Sequence, residues 1–195
     1  MRADAALREG SVGYDPQIHH RRSGRAPGYD YGLPGWYFLT ICTHHRRSLF
    51  GEIHNAEMYV NALGRIVEDE WQRTAEIRQD VTLDAYIIMP NHIHGIVVIT
   101  VDEGRRCSEN YVPQCVSPSR SVGAVVRGFK AASSRRINAL EHAEGRQVWQ
   151  RNYYDHIIRN EADLERIRSY IETNPGNWSL DREHPDRFQS LPVGQ

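Results

Sequence analysis

Two histidines, His92 and His94, stand two residues apart in the run HIHGIVVI at 92–99. In a β-strand, residues i and i+2 point to the same face, so both imidazoles could reach one divalent metal from a rigid element. An H-x-H pair alone is common on surfaces and in cores. Here the pair shares a strand face with Ile96 and Val98, where an unpartnered imidazole is costly and a metal would supply a partner. Tyr170 and Asn174 form a second pair, one helical turn apart, beside Ile167 and Ile171. Read alone, they are accounted for by a core tyrosine and a helix-ending asparagine. A carboxamide oxygen is also a hard ligand, able to complete a His-His-Asn set for Mg²⁺ or Mn²⁺. Tyr153 and Tyr154 are fallback nucleophiles without a ligand-type residue one turn away.

Periodicity gives the elements that must position these groups. Residues 36–43 (WYFLTICT) are aromatic and β-branched on both faces, as in a central strand. Val60, Leu63, Val67 and Trp71 predict a helix over 56–75. Strands follow at 82–89 and 92–99, joined by the turn pair Pro90-Asn91. A long polar loop covers 101–120. Val122, Val125, Phe129, Ala132 and Leu140 predict a helix over 121–141, VWQRNYY a strand at 148–154, and Leu164, Ile167 and Ile171 a helix over 161–174. Asn174-Pro175-Gly176 ends that helix by removing a donor and adding a flexible residue. The order β-α-β-β-α-β is that of an α+β, ferredoxin-like split βαβ core with an antiparallel sheet. Strand 92–99 is apolar on both faces, so the last helix, which carries Tyr170, should cover the face that the first two leave open. Residues 1–34 read as an irregular basic arm, 35–176 as the catalytic domain and 177–195 as a polar tail.

The 195 residues suffice for one domain with its own core. No run approaches the ~18 apolar residues of a membrane span, and the first residues lack a signal-peptide core, so a cytoplasmic protein is expected. Cys42, Cys107 and Cys115 have neither disulfide nor zinc-knuckle spacing. Net charge is −1, but its distribution is uneven. Residues 52–103 hold ten acids against three arginines, whereas 127–136 hold Arg127, Lys130, Arg135 and Arg136 and no acid. Such a patch is usually a solvated helix face, and it can also follow a phosphate backbone.

The words MPNHIHGIV and WQRNYYDHIIRNEADLERIRSYIETNP resemble the single-tyrosine HUH transposases, and most of all their chromosomal branch, the REP-associated tyrosine transposases. GYDYGLPGWYFLTICTHHRRSLFG and VGAVVRGFKAASSRRIN are similar to the same family, so the likeness spans about residues 21–178. The resemblance implies that His92 and His94 are metal ligands, with Ile93 as the hydrophobic residue between them. It also implies that Asn174 is the third ligand and that Tyr170 is the nucleophile. The implied activity is cleavage and rejoining of single-stranded DNA beside a hairpin, through a 5′-phosphotyrosine, with Mg²⁺ or Mn²⁺. Arg127, Lys130 and Ser134 on one helix face would then follow the DNA backbone. Monomer and homodimer are both compatible with the resemblance. Two other function classes fit the residues: a non-catalytic nucleic-acid-binding module on the same fold, and a nuclease in which water replaces the tyrosine.

Overall fold

The computed structural model describes residues 29–100 and 121–189. The expected loop at 101–120, most of the N-terminal arm, Cys107 and Cys115 lie outside these residues. Cys42 is buried and forms no disulfide among the described residues. Among the described residues no helix is long and apolar enough to cross a membrane.

Four strands make the central sheet: β1 (Gly35–Cys42), β4 (Val81–Met89), β5 (His92–Ile99) and β6 (Tyr154–Ile158). Their order is β4-β5-β1-β6, and every neighbouring pair is antiparallel. Strands β1 and β4 therefore run the same way with β5 between them, which is the split βαβ arrangement expected from the sequence. Between β1 and β4 lie the hairpin β2 (Gly51–His54) and β3 (Glu57–Val60), then helix α1 (Ala62–Ile77). Helix α2 (Val122–Leu140) links β5 to β6, and α3 (Glu161–Thr173) follows β6. Past α3 come a 3-10 helix (Pro175–Leu180) and a short α4 (Asp186–Gln189).

The hairpin corrects the expected helix at 56–75. Asn55 and Ala56 both adopt positive φ (51° and 66°), as the two central residues of a tight hairpin turn must. Residues 57–60 therefore fold back on 51–54, and α1 begins only after Asn61, whose side chain accepts from Gly64 N at 3.0 Å. The last strand is also displaced, to 154–158 from the expected 148–154. Trp149 still makes a bridge to Thr43, but from Thr40 to Thr43 the chain opposite advances from Tyr154 to Trp149. Residues 151–153 thus bulge out of the ladder.

Alternation along β1 and β5 divides the core. Tyr37, Leu39 and Ile41 with Ile93, Val97 and Ile99 face α1 and α2, meeting Val67, Trp71, Val125 and Phe129. Gly95 is required on this face, because a Cβ there would lie 2.4 Å from Trp71 Cζ2. Phe38, Ile96 and Ile158 face the other way, against Leu164, Ile167 and Ile171 of α3. The third helix covers the second face, as the doubly apolar strand required. Asn160 caps α3 by accepting from Asp163 N at 2.9 Å, and Glu161 and Asp163 in its first turn complement the helix dipole.

Candidate active site

On the α3 side of the sheet, β5 presents His92 and His94, both buried. The two Nε2 atoms lie 2.9 Å apart. Each ring is oriented through its other nitrogen. His92 Nδ1 is 2.8 Å from Asn91 Oδ1, which can only accept, so this Nδ1 carries the proton and the Nε2 lone pair faces His94. His94 Nδ1 is 2.9 Å from Thr40 Oγ1, its register partner on β1. This is the supporting arrangement that metal-bound imidazoles use: one nitrogen is tied to an oxygen and the other is left to the ion. Burial, then the neighbouring His94, pushes the His92 pKa well below its ordinary value, so this ring is neutral at physiological pH.

Helix α3 brings Tyr170 and Asn174 over the pair. Tyr170 Oη is 3.1 Å from His94 Nε2 and donates to Asp181 Oδ2 at 3.3 Å. Asn174 is buried, and its Nδ2 donates to Asp181 Oδ2 at 3.0 Å. Its Oδ1 is buried with no hydrogen-bond partner among the described residues, a costly state for a carboxamide unless something accepts that lone pair. His92, His94 and Asp181 form a group whose ligand atoms all lie within 4.8 Å of one another. Two imidazoles, a carboxylate and an orphaned amide oxygen fit a hard or borderline divalent cation.

Asp181 was not legible as a site residue. It follows the 3-10 helix in a segment expected to be irregular, with no periodicity to place it. Burial alone would raise its carboxyl. The contact with His94, the neighbouring His92 ring, the Glu183 N–H at 2.6 Å and the Asn174 amide outweigh burial and hold its pKa well below the usual range. Asn91 has a larger role than its turn position suggested. Fully buried, it also donates through Nδ2 to Arg46 O (3.0 Å) and Glu183 O (2.8 Å), tying three chain segments to the His92 ring. The signal available was its place directly before the H-x-H triplet.

Arg127, Lys130 and Ser134 sit on α2, across the sheet from the histidines. Arg127 is exposed and Ser134 half-buried. Lys130 Nζ donates to the carbonyls of Gln150 (2.8 Å), Asn152 (3.0 Å) and Arg151 (3.4 Å). The structure thus unites His92, His94, Tyr170 and Asn174 and keeps the three α2 residues apart from them.

No protein-family model matches the chain. An uncharacterized protein of Haemophilus influenzae is 39% identical over 179 residues, covering 89% of this chain and 98% of the relative. The two proteins belong to one family. Among solved structures, a REP-associated tyrosine transposase bound to a REP hairpin superposes with a TM-score of 0.55 at 16% identity, over 81% of this chain and 77% of that one. The chain is REP-associated-tyrosine-transposase-like in its fold: an antiparallel sheet with helices on both faces.

Proposed function

We propose that the protein is a divalent-metal-dependent transesterase that cuts and rejoins single-stranded DNA beside a hairpin, with Tyr170 as nucleophile. The observation that carries this reading is the 3.1 Å approach of Tyr170 Oη to His94 Nε2, at the edge of the His92, His94 and Asp181 cluster. A structural tyrosine would not need two imidazoles and a carboxylate converging at its hydroxyl. His92, His94 and Asp181, with Asn174 through its orphaned Oδ1, would hold Mg²⁺ or Mn²⁺. Bound there, the ion supplies positive charge against a non-bridging phosphate oxygen and against the developing phenolate.

The chain's own residues supply the rest. Burial, then the charge of Asp181, raises the Tyr170 pKa above its ordinary value, so the resting hydroxyl is a weak nucleophile and does not react indiscriminately. In the reaction the Tyr170 oxygen bonds to the scissile phosphorus, the bond from phosphorus to the 3′-oxygen breaks, and the proton given up by the phenol is balanced by one taken up by the departing 3′-oxygen. The products are a 5′-phosphotyrosine and a 3′-hydroxyl. The adduct keeps a phosphoester bond, so an incoming 3′-hydroxyl can reverse the step and join a new strand. Phe38 packs edge-on against Tyr170 and stacks on His94, which fixes the angle between nucleophile and ligand. All of these groups come from one chain, which favours a site complete within a monomer over one shared across a dimer.

The test is incubation with a 5′-tailed hairpin oligonucleotide and Mn²⁺, resolved on a denaturing gel. A covalent adduct that disappears in Tyr170→Phe is the expected result. Cleavage surviving Tyr170→Phe would mean that water is the nucleophile, and binding without cleavage under any divalent metal would mean a binding module.

A further inference from the structure

A cavity of about 640 Å³ opens from Tyr170 and His94 toward the β6 edge of the sheet. That size lies within the range of ligand pockets, ~300–1,000 Å³. Its lining includes three kinds of group suited to a nucleotide, beside a Glu183 carboxylate that Arg46 engages at 2.7 Å. Tyr154 presents a half-exposed ring above buried Phe38, Gln150 and Asn152 supply amides, and Arg166 and Arg182 stand exposed at the rim. An aromatic face, amide donors and acceptors, and cations at the mouth are the groups that bind a base and its flanking phosphates.

The amide wall is unusual in how it is held. Residues 151–153 bulge from the ladder between Trp149 and Tyr154, and would be the loosest part of the edge. From the opposite side of the sheet Lys130, the only lysine in the chain, gives its ammonium to three successive carbonyls, those of Gln150, Arg151 and Asn152. An ammonium has three protons, so this set uses all its donors. The ring of Tyr153 lies 5.7 Å from Nζ and adds a cation–π contact.

We infer that this cavity receives one unstacked nucleotide next to the scissile phosphate, that Asn152 and Gln150 select its base, and that Lys130 is a positioning residue holding that wall in place. The inference rests on the DNA-cutting role proposed above and adds a base-selective subsite to it. Burial pushes the Lys130 ammonium down to about 8, still above neutral pH, so the clamp is charged under physiological conditions. A lysine spent on three carbonyls has no proton left for a phosphate, which separates this role from backbone tracking.

The full-length protein is titrated with hairpin oligonucleotides in which each single-stranded position flanking the hairpin foot carries each of the four bases in turn. Affinity is measured at several salt concentrations, and adduct yield with Mn²⁺. The native protein should prefer one base at one position by roughly tenfold or more. Asn152→Ala and Lys130→Met should each shrink that preference to under about threefold, while preference elsewhere and the salt slope stay unchanged. Loss of affinity equal for all bases, with the salt slope falling by about one, would make Lys130 a phosphate contact and overturn the inference. Lowered stability with an intact preference would overturn it too. Should Lys130→Met fail to fold, Asn152→Ala on an exposed side chain decides. Base-selective binding without any adduct would refute the transesterase reading and leave the subsite standing, whereas an adduct with no base preference would do the reverse.

Discussion

Replacing Asn91 with alanine removes three hydrogen bonds at a fully buried position: two donated to Arg46 O and Glu183 O and one accepted from His92 Nδ1. Each group left unpaired costs ~1–3 kcal/mol, and water entering the space recovers part of that. Taking the low end for all three gives a loss of about 3 kcal/mol. For a chain of this size 1 kcal/mol lowers Tm by ~2–4 °C, so thermal unfolding should fall by roughly 6–12 °C. The same change frees the His92 ring, and loss of such an orienting partner costs ~10–100-fold in metal affinity. Asn91→Asp separates the two effects, because it keeps the acceptor for His92 and loses both amide donors. It should be destabilised as well, yet keep most of its Mn²⁺ affinity by calorimetric titration. A Tm drop of less than about 2 °C in Asn91→Ala, or Mn²⁺ binding equal to that of the unsubstituted protein, would refute this account of how the histidine is oriented.

Two further outcomes follow from the packing and from burial. Gly95→Ala drives a methyl into Trp71 and should cost about 1–3 kcal/mol in urea unfolding; an unchanged midpoint would mean that α1 is not packed directly on β5. His92 is held neutral in the fold by burial, and its pKa is lowered from 6.5, whereas in the unfolded chain it takes up a proton as pH falls through that value. Its neutral form is therefore accommodated without cost above pH 6.5, and native stability declines as pH drops below it, by at most ~1.4 kcal/mol per pH unit. Metal-free protein unfolded in urea at pH 7.5 and 5.5 should show this loss, and His92→Gln should show less of it. Equal losses in the two proteins would contradict a buried neutral His92.

What could be read from the sequence was whatever periodicity encodes. Strict alternation placed His92 and His94 on one face of a strand, and the apolar residues on both its faces required a covering helix, which is α3 with Tyr170 and Asn174. Asp181 had no such signal, because a lone carboxylate after an irregular turn is placed only by tertiary contacts, here those of Asn174 and Glu183 N. The hairpin at 51–60 was hidden because its turn uses Ala56 at positive φ, where glycine is the usual marker. The shift of β6 came from a bulge whose anchor, Lys130, is distant in sequence and lies across the sheet. A helical face rich in cations looks the same on paper whether its lysine meets phosphates or carbonyls.

The central claim is that Tyr170 itself becomes bonded to DNA. The protein is reacted with a hairpin oligonucleotide and Mn²⁺, digested with trypsin and nuclease, and the modified peptide is sequenced by mass spectrometry. Cleavage after Arg168 and Arg182 isolates residues 169–182, in which Tyr170 is the only tyrosine. A 5′-phosphonucleotide on that peptide is the expected result. A nucleotide on the peptide carrying Tyr153 and Tyr154, or DNA cut with no peptide modified at all, would contradict it.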